Sequence, residues 1–415
     1  MKRLIVLNRF FFPDHSATSQ ILTDLMLHFA ASGVEVHVIT SQQLYDDPSR
    51  QLPAKELMGG ISVHRIPTTR FGRSGLAGRA VDYFSFYASA ARAMRALLAP
   101  GDVLLAMTDP PLISIIAMWV ARLRQAHLVN WLQDLYPEIA VQLGVPFLKR
   151  PLVAGIAHFR DRSLKSAALN VVLGQTMREK LIARGISPTC VTVISNWADD
   201  DEIFRIDPAD NPLRQKWGLE DKFVVGYSGN LGRAHEFETV LAAAVRLRTD
   251  PRIVFLFIGS GHRMDELARI VKARGLESTF RFFPYQDRAL LKYSLSAADV
   301  HWISLKPALE GLIVPSKFYG IAAAGRPIIA ITARDGEIAR LVQEHKCGLV
   351  IEPGQAEQLA LALQQLSTDA PSLVGMGLRA RAMLEAHFTR QHAFNRWSDV
   401  LNKTVYEENR APSLS

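Results

Sequence analysis

The sequence predicts an α/β protein of two Rossmann-like domains, each a parallel sheet covered by helices. Three observations carry this reading. Short runs of Val, Ile and Leu alternate with longer amphipathic stretches through both halves of the chain. The apolar runs are continuous, as in strands buried on both faces. The chain has 415 residues, more than the ~250–300 that a single core supports.

In order, strands are expected at 3–8, 34–40, 61–66, 103–107, 127–131 and 169–173, then at 223–228, 253–258, 279–283, 299–304, 327–332 and 348–351. That is about five or six per domain. Helical spacing marks 19–32, a stretch from about 111, 236–248, 262–274 and 287–297. The boundary is expected at 200–221, where Asp199-Asp200-Asp201 and the segment from Asp207-Pro208 to Pro212 form a polar link. The domains are therefore 1–200 and 201–388, and 389–415 forms a last helix with a frayed tail at 406–415. Two such sheets facing one another would enclose a cleft, and the loops to read are those that follow strands.

The apolar run at 4–7 is too short for the core of a signal peptide. The longest apolar region, 103–121, is broken by Thr108-Asp109-Pro110-Pro111, whereas a spanning helix needs ~20 predominantly apolar residues. The expectation is a cytoplasmic protein with no transmembrane helix. Cys190 and Cys347 stand far apart, which excludes a disulfide scaffold or a Cys-based zinc site and fits a reducing compartment. The net charge is +8, and residues 1–200 carry 21 Lys+Arg against 15 Asp+Glu, whereas residues 201–415 carry 27 against 25. A polyanionic partner should therefore touch the first half.

Five loops carry candidate chemistry. After the first strand, Phe11-Phe12-Pro13 leads to His15, Ser16 and Thr18 and into a helix near Gln20. This is an anion-approaching N-terminus or simply a cap with aromatic packing. Gln133-Asp134 follows another strand, where the Asp134 carboxylate either orients or deprotonates an acceptor hydroxyl or caps a helix. In the second half, Gly229-Asn230-Leu231-Gly232-Arg233-Ala234-His235 reads as a diphosphate loop with Arg233 as phosphate partner. Gly259-Ser260-Gly261 is a second such turn, and Phe282, Pro284 and Tyr285 offer a place for a base. The fifth loop, from Glu310 through Ile313, Val314, Pro315 and Ser316 to Lys317, joins a carboxylate suited to sugar hydroxyls with a lysine in the first turn of a helix that suits a phosphate. Each charge-assisted bond contributes on the order of 1.5–3 kcal/mol, so a few suffice for micromolar binding.

These motifs, in this order, resemble the family 4 retaining glycosyltransferases of the GT-B fold, especially bacterial members that build exopolysaccharide or O-antigen units. The resemblance covers nearly the whole chain. It rests on Phe-Phe-Pro at 11–13, Gln-Asp-Leu-Tyr-Pro-Glu at 133–138, Ile-Ser-Asn-Trp at 194–197, Gly-Asn-Leu-Gly at 229–232, Gly-Ser-Gly at 259–261, Pro-Ser-Lys at 315–317, Ala-Ala-Gly-Arg-Pro at 323–327 and Cys347-Gly348. It implies a nucleotide-sugar donor in the C-terminal domain and a saccharide acceptor, lipid-linked in these relatives, in the N-terminal domain. The last helix crosses back to the N-terminal domain. Transfer retains the anomeric configuration by front-face attack, with no cofactor and no metal. The implied catalytic groups are Asp134, Glu310, Arg233 and Lys317. The implied donor contacts are Gly229, Asn230, Gly232, His235, Gly259, Gly261, Tyr285, Ile313, Val314 and Ser316, and the acceptor side has His15, Ser16 and Thr18.

Three positions depart from the family. Asn230 and His235 stand where an Arg and a Lys are usual, Gly320 stands at the second glutamate, with Glu337 as a substitute, and Gln133-Asp134 replaces a frequent His. Nucleotide-sugar 2-epimerases and a sugar-nucleotide-binding protein without catalysis share the fold and remain alternatives. Arg65, Arg70, Arg73, Arg79, Arg92 and Arg95, interleaved with Phe71, Tyr83, Phe84, Phe86 and Tyr87, suit an anionic membrane surface on the inner face of the cell membrane, as do eight Lys/Arg in 149–184. The bland reading is a solvated helix face over core aromatics. No nucleic-acid module is present.

Overall fold

The computed structural model describes residues 3–44, 47, 50–72, 75–145 and 150–406. They form two compact units, one of residues 1–195 together with the chain from Phe394, the other Asn196–Ala393. The first unit holds β1 (Arg3–Leu7), β2 (Glu35–Ser41), β3 (Lys55–Met58), β4 (Ile61–Ile66), β5 (Val103–Ala106), β6 (His127–Leu132), β7 (Leu169–Val172) and β8 (Val191–Val193). They lie in the order β3-β4-β2-β1-β5-β6-β7-β8, all parallel except that β3 runs antiparallel to β4. The second unit holds β9 (Phe223–Ser228), β10 (Ile253–Ile258), β11 (Phe280–Phe283), β12 (Val300–Ser304), β13 (Ile328–Ile331) and β14 (Gly348–Ile351), all parallel, in the order β11-β10-β9-β12-β13-β14. Strand order reverses between β1 and β5 and again between β9 and β12. At such a switch point the flanking loops diverge and leave a crevice at the carboxyl ends of the strands.

Continuous apolar runs form the sheets because both faces are covered. Every residue of β10 is buried. On one face of the second sheet Tyr227, Phe257 and Trp302 pack together, with Tyr227 and Trp302 centroids 4.6 Å apart. Each such side chain contributes roughly 1.5–3 kcal/mol on burial. On the other face Val224, Val254 and Leu256 meet Ala297 and Ala298. The helix Arg390–Tyr406 continues into the first unit, where Trp397 packs edge-on against Trp131 at 4.7 Å and Phe394 stacks on His28 at 4.5 Å.

Among the described residues the first unit has eight strands where five or six were expected. Lys55–Met58 carries mostly exposed side chains in an edge hairpin, and Val191–Val193 is three residues long, so neither shows an apolar run. The first helix starts at Ala17 rather than near Gln20, and the helix after β9 at Glu238 rather than 236. Leu291–Ser296 is shorter than the expected 287–297 because a 3-10 turn, Arg288–Leu290, precedes it. The aspartates at 199–201 are engaged: Arg390 bonds Asp199 at 3.1 Å and Asp201 at 3.2 Å.

The basic, aromatic stretch divides. Arg65 is buried, pairs with Glu56 at 2.6 Å and donates to the Phe12 carbonyl at 2.9 Å. Phe86 is core, and Tyr83 and Tyr87 are half-buried. For Tyr83, Phe86 and Tyr87 the bland reading holds, because a helix packed on a sheet must bury one stripe, whereas Arg65 lies on β4 and is interior. Phe84, Arg79, Arg92 and Arg95 are exposed, and Arg73 lies outside the described residues, as does the tail beyond 406. Among the described residues no helix is long and apolar enough to cross a membrane.

Gly348 shows how tightly the second sheet is built. A Cβ there would lie 1.8 Å from the Ile328 carbonyl oxygen on the neighbouring strand. Gly348→Ala should destabilise the second unit by about 2 kcal/mol or more, and calorimetry should show its melting temperature lowered by about 4–8 °C.

Candidate active site

In the second unit, three loops meet at the carboxyl ends of β9, β10 and β12. Gly229 and Gly259 have φ of 123° and 133°, a region that L side chains rarely adopt. Gly229 N–H donates to Ile258 O at 2.8 Å, Leu231 N–H to Ser260 O at 2.9 Å, and Gly259 N–H to Phe283 O at 2.9 Å. A Cβ on Gly259 would lie 2.3 Å from Gly229 O, one on Gly261 2.4 Å from Asn230 Oδ1, and one on Gly229 2.6 Å from Lys317 Cε. The glycines are thus required by close approach of loop to loop and of a lysine stem to the backbone.

Lys317 opens the helix Lys317–Ala323. Its ammonium lies 5.1 Å from the Tyr227 ring centroid, donates to Asn230 O at 3.2 Å and lies 3.1 Å from His235 Nε2. His235 Nδ1 is 2.6 Å from Ser304 O, and a carbonyl only accepts, so Nδ1 carries the proton. Nε2 is then a lone-pair acceptor for the ammonium. Burial and the Lys317 charge push the His235 pKa down to about 3, so this histidine is neutral at working pH. Burial also lowers the Lys317 pKa to about 8. An ammonium has three donors, and two are used here, which leaves one for an incoming oxygen.

Glu310 is held just as firmly. Its Oε1 accepts from the Thr332 hydroxyl, and its Oε2 accepts from Glu337 N–H at 3.3 Å. Burial, with Asp335 and Glu337 nearby, raises its pKa. Glu337 thus stands beside Glu310 as well as pairing with Arg340 at 3.4 Å. Arg233 is exposed on its loop, as is Tyr285. Ser316 precedes the helix without a side-chain cap bond, Ile313 is half-buried and Val314 buried.

A brace that the motif reading passed over is Arg263, directly after Gly261-His262. Its guanidinium donates to His235 O at 3.0 Å, pairs with Glu238 and lies 4.4 Å from the Phe237 ring centroid. It ties the β10 loop to the β9 loop. The signal available in sequence was an Arg at the start of a helix, where its charge opposes the helix dipole and needs another purpose.

In the first unit, Asp134 follows β6 by two residues. Its Oδ1 is buried without a hydrogen-bond partner, and it borders a small cavity with Thr108, Leu132, Tyr136 and Arg160. Burial, opposed by the Thr108 hydroxyl and aided by Asp109, raises its pKa to about 7. Asp109, after β5, rises to about 6 for the same first reason, and Arg9 moderates it. Asp134 caps no helix, since Pro137 precedes Glu138–Gln142. Glu138 is structural: Arg160 grips it at 2.7 and 3.0 Å and donates to Tyr136 O at 2.6 Å, fixing the loop that carries Asp134. His15 is exposed, and Ser16 and Thr18 are half-buried around the first turn of Ala17–Ala31. Ser16 N–H is taken by Asp14 Oδ1 at 2.8 Å.

Two doubly wound sheets of these strand orders, the second with a fixed cation among glycine loops at its switch point, are the architecture of the GT-B fold. Residues 17–197 match the glycosyl transferase 4-like domain and residues 210–383 the glycosyl transferases group 1. The chain belongs to the family 4 glycosyltransferases and is an enzyme of the glycosyl-transfer class. It is 29% identical to the "Probable glycosyltransferase WbjE" of Pseudomonas aeruginosa over 74% of this chain and 76% of that protein. Its fold is that of Anabaena HepE in complex with UDP and glucose, with a TM-score of 0.72 at 16% identity over 97% of this chain and 100% of the other. It is also that of WaaG, a glycosyltransferase involved in lipopolysaccharide biosynthesis, with a TM-score of 0.67 at 17% identity over 96% and 99%.

The buried carboxylate makes a thermodynamic prediction. The folded pKa of Asp134 lies above its unfolded value of 3.8, so its contribution to stability is fully present below pH 3.8 and lost as pH rises through about 7. Asp134→Asn removes that penalty. Its melting temperature should exceed that of the wild type by a few degrees at pH 8, and the gap should close at pH 4.

Proposed function

We propose that the protein is a retaining glycosyltransferase that moves a sugar from a nucleotide-sugar donor to a saccharide acceptor, lipid-linked, in bacterial surface polysaccharide biosynthesis. The observation that carries this reading is the Lys317 ammonium. It is desolvated and pinned between Asn230 O and a neutral His235, with one donor left for a diphosphate oxygen. A fixed charge of this kind stabilises a leaving group without reorganising as negative charge develops. The donor diphosphate lies on the loops after β9 and β12, and the exposed Arg233 reaches it from its loop. Glu310, with both oxygens oriented by Thr332 and Glu337 N–H, accepts from sugar hydroxyls with its remaining lone pairs. The acceptor hydroxyl attacks on the face from which the diphosphate departs, and its proton passes to the leaving phosphate oxygen. Asp134 orients the acceptor. No cofactor and no metal enters this route. The lipid-linked acceptor is supported by the basic first half of the chain.

Thermal-shift titration against UDP-, GDP- and dTDP-sugars tests donor binding. The cognate donor at 100-fold over its Kd stabilises by ~2.7 kcal/mol, and the absence of any shift would remove the donor site. Lys317→Ala should lower kcat/KM by about 100-fold or more, and Glu310→Gln should lower it while leaving the fold intact. Isomerised sugar formed from donor alone, without acceptor, would replace the transferase reading with an epimerase. The wild-type kcat/KM should fall as pH rises through about 8, because the free enzyme then loses the Lys317 charge. In Lys317→Arg, which stays charged, that alkaline limb should disappear from the measured profile.

A further inference from the structure

Three helices of the first unit, Leu76–Leu97, Ile113–Arg124 and Arg150–Ser166, form one layer, with Ile113–Arg124 packed against both of the others. Ser163 and Ser114 hydroxyls bond across one seam at 2.9 Å, and Arg124 reaches Leu98 O at 2.8 Å across the other. The outer side of this layer is not an ordinary solvated surface. Val81, Phe84, Trp119, Leu123, Leu152 and Phe159 are exposed by 46, 70, 51, 61, 52 and 49%. Spacings of three in the first helix, four in the second and seven in the third put each pair on one stripe of its helix. Monomeric surfaces scatter such residues singly, whereas a contiguous set marks a contact site.

The charges on the same layer have one sign. Arg79, Arg92, Arg95, Arg122, Arg162 and Lys165 are exposed, and the Arg162 guanidinium lies 5.7 Å from the Trp119 ring centroid. These helices carry only two carboxylates, and both are engaged. Asp82 is buried and accepts from Thr69, Phe71 N–H and Gly72 N–H, and Asp161 pairs with Arg160 at 2.7 Å. Exposed apolar side chains that share their helices with exposed cations and with no free carboxylate complement a surface that is anionic outside and apolar just beneath.

We infer that this three-helix face seats the enzyme on an anionic bilayer, with Phe84, Trp119 and Phe159 inserted below the headgroups and the arginines on lipid phosphates. The face deepens the proposed function by giving the lipid-linked acceptor its place. On the buried side of the same helix turn as Phe84, Tyr83 stacks on Arg9 at 5.2 Å, and Arg9 in turn moderates Asp109 beside Asp134.

The test is flotation of the full chain with vesicles of phosphatidylcholine alone and of phosphatidylcholine with 30% phosphatidylglycerol. Wild type should bind the anionic vesicles at least ten-fold more tightly than the neutral ones and release as salt is raised. A Phe84→Ser, Trp119→Ser, Phe159→Ser variant should lose most of that binding while keeping its melting temperature and its transfer to a lipid-free acceptor. Arg122→Glu and Arg162→Glu should each lower binding about five-fold or more. Brominated lipid should quench a fraction of the wild-type tryptophan fluorescence that is missing from Trp119→Phe. Equal binding to both vesicles, unchanged binding in the triple variant, or a stable dimer in light scattering that the triple variant dissolves would overturn the inference. Vesicle binding needs neither donor nor turnover. A chain that binds vesicles but no donor would sink the transferase mechanism and leave the face, and the converse result would do the opposite.

Discussion

The second unit is organised around a single close approach, the stem of Lys317 lying where the side chain of residue 229 would be. Only a glycine leaves that space, and only a loop held by Gly259 and Gly261 presents the Gly229 backbone at the required place. From this constraint follow the position of the ammonium beside His235, whose tautomer Ser304 O sets, and the need for Arg263 to brace the loop from the other side. The sheet supplies the rigidity. β9 lies at the switch point between β10 and β12, with Tyr227, Phe257 and Trp302 packed beneath. A charge can be held this tightly in low dielectric only because its partners are a backbone carbonyl and a neutral ring, which do not compete for the ligand's negative charge.

His235 illustrates how one substitution changes a site without abolishing it. Where relatives are expected to place a second cation, this chain has an imidazole that donates a hydrogen bond to Ser304 O and accepts one from Lys317. Two ammonium groups this close would each lose affinity for their proton. One ammonium with a neutral acceptor keeps its charge and its direction. Glu310 follows the same logic, since Thr332 and Glu337 N–H hold both of its oxygens in place.

The first unit is built on different terms. Its carboxylates at the ends of β5 and β6 are desolvated rather than paired, and the loop that carries Asp134 is fixed by the Arg160–Glu138 pair, one residue beyond Pro137. It uses arginines in two ways. Arg65 and Arg160 are buried in ion pairs that shape loops, whereas Arg92, Arg122 and Arg162 stay on the surface, Arg162 over the exposed Trp119.

The strands were legible because burial on both faces writes itself into sequence as unbroken apolar runs. β4, β9, β10 and β14 sit at the bounds expected, and only Lys55–Met58 and Val191–Val193, which lack such runs, were hidden. Gly229, Gly259, Glu310 and Lys317 were legible as candidates because loops after parallel strands are where chemistry collects. What linear order does not contain is distance. Tertiary structure decided that Lys317 meets His235 across 82 positions in the chain, that Arg263 and Glu138 are braces, and that Arg65 is interior while Arg162 lies over Trp119. Periodicity reports whether a residue faces a core. Which groups share that core, and with what charge and tautomer, is set by how the layers pack.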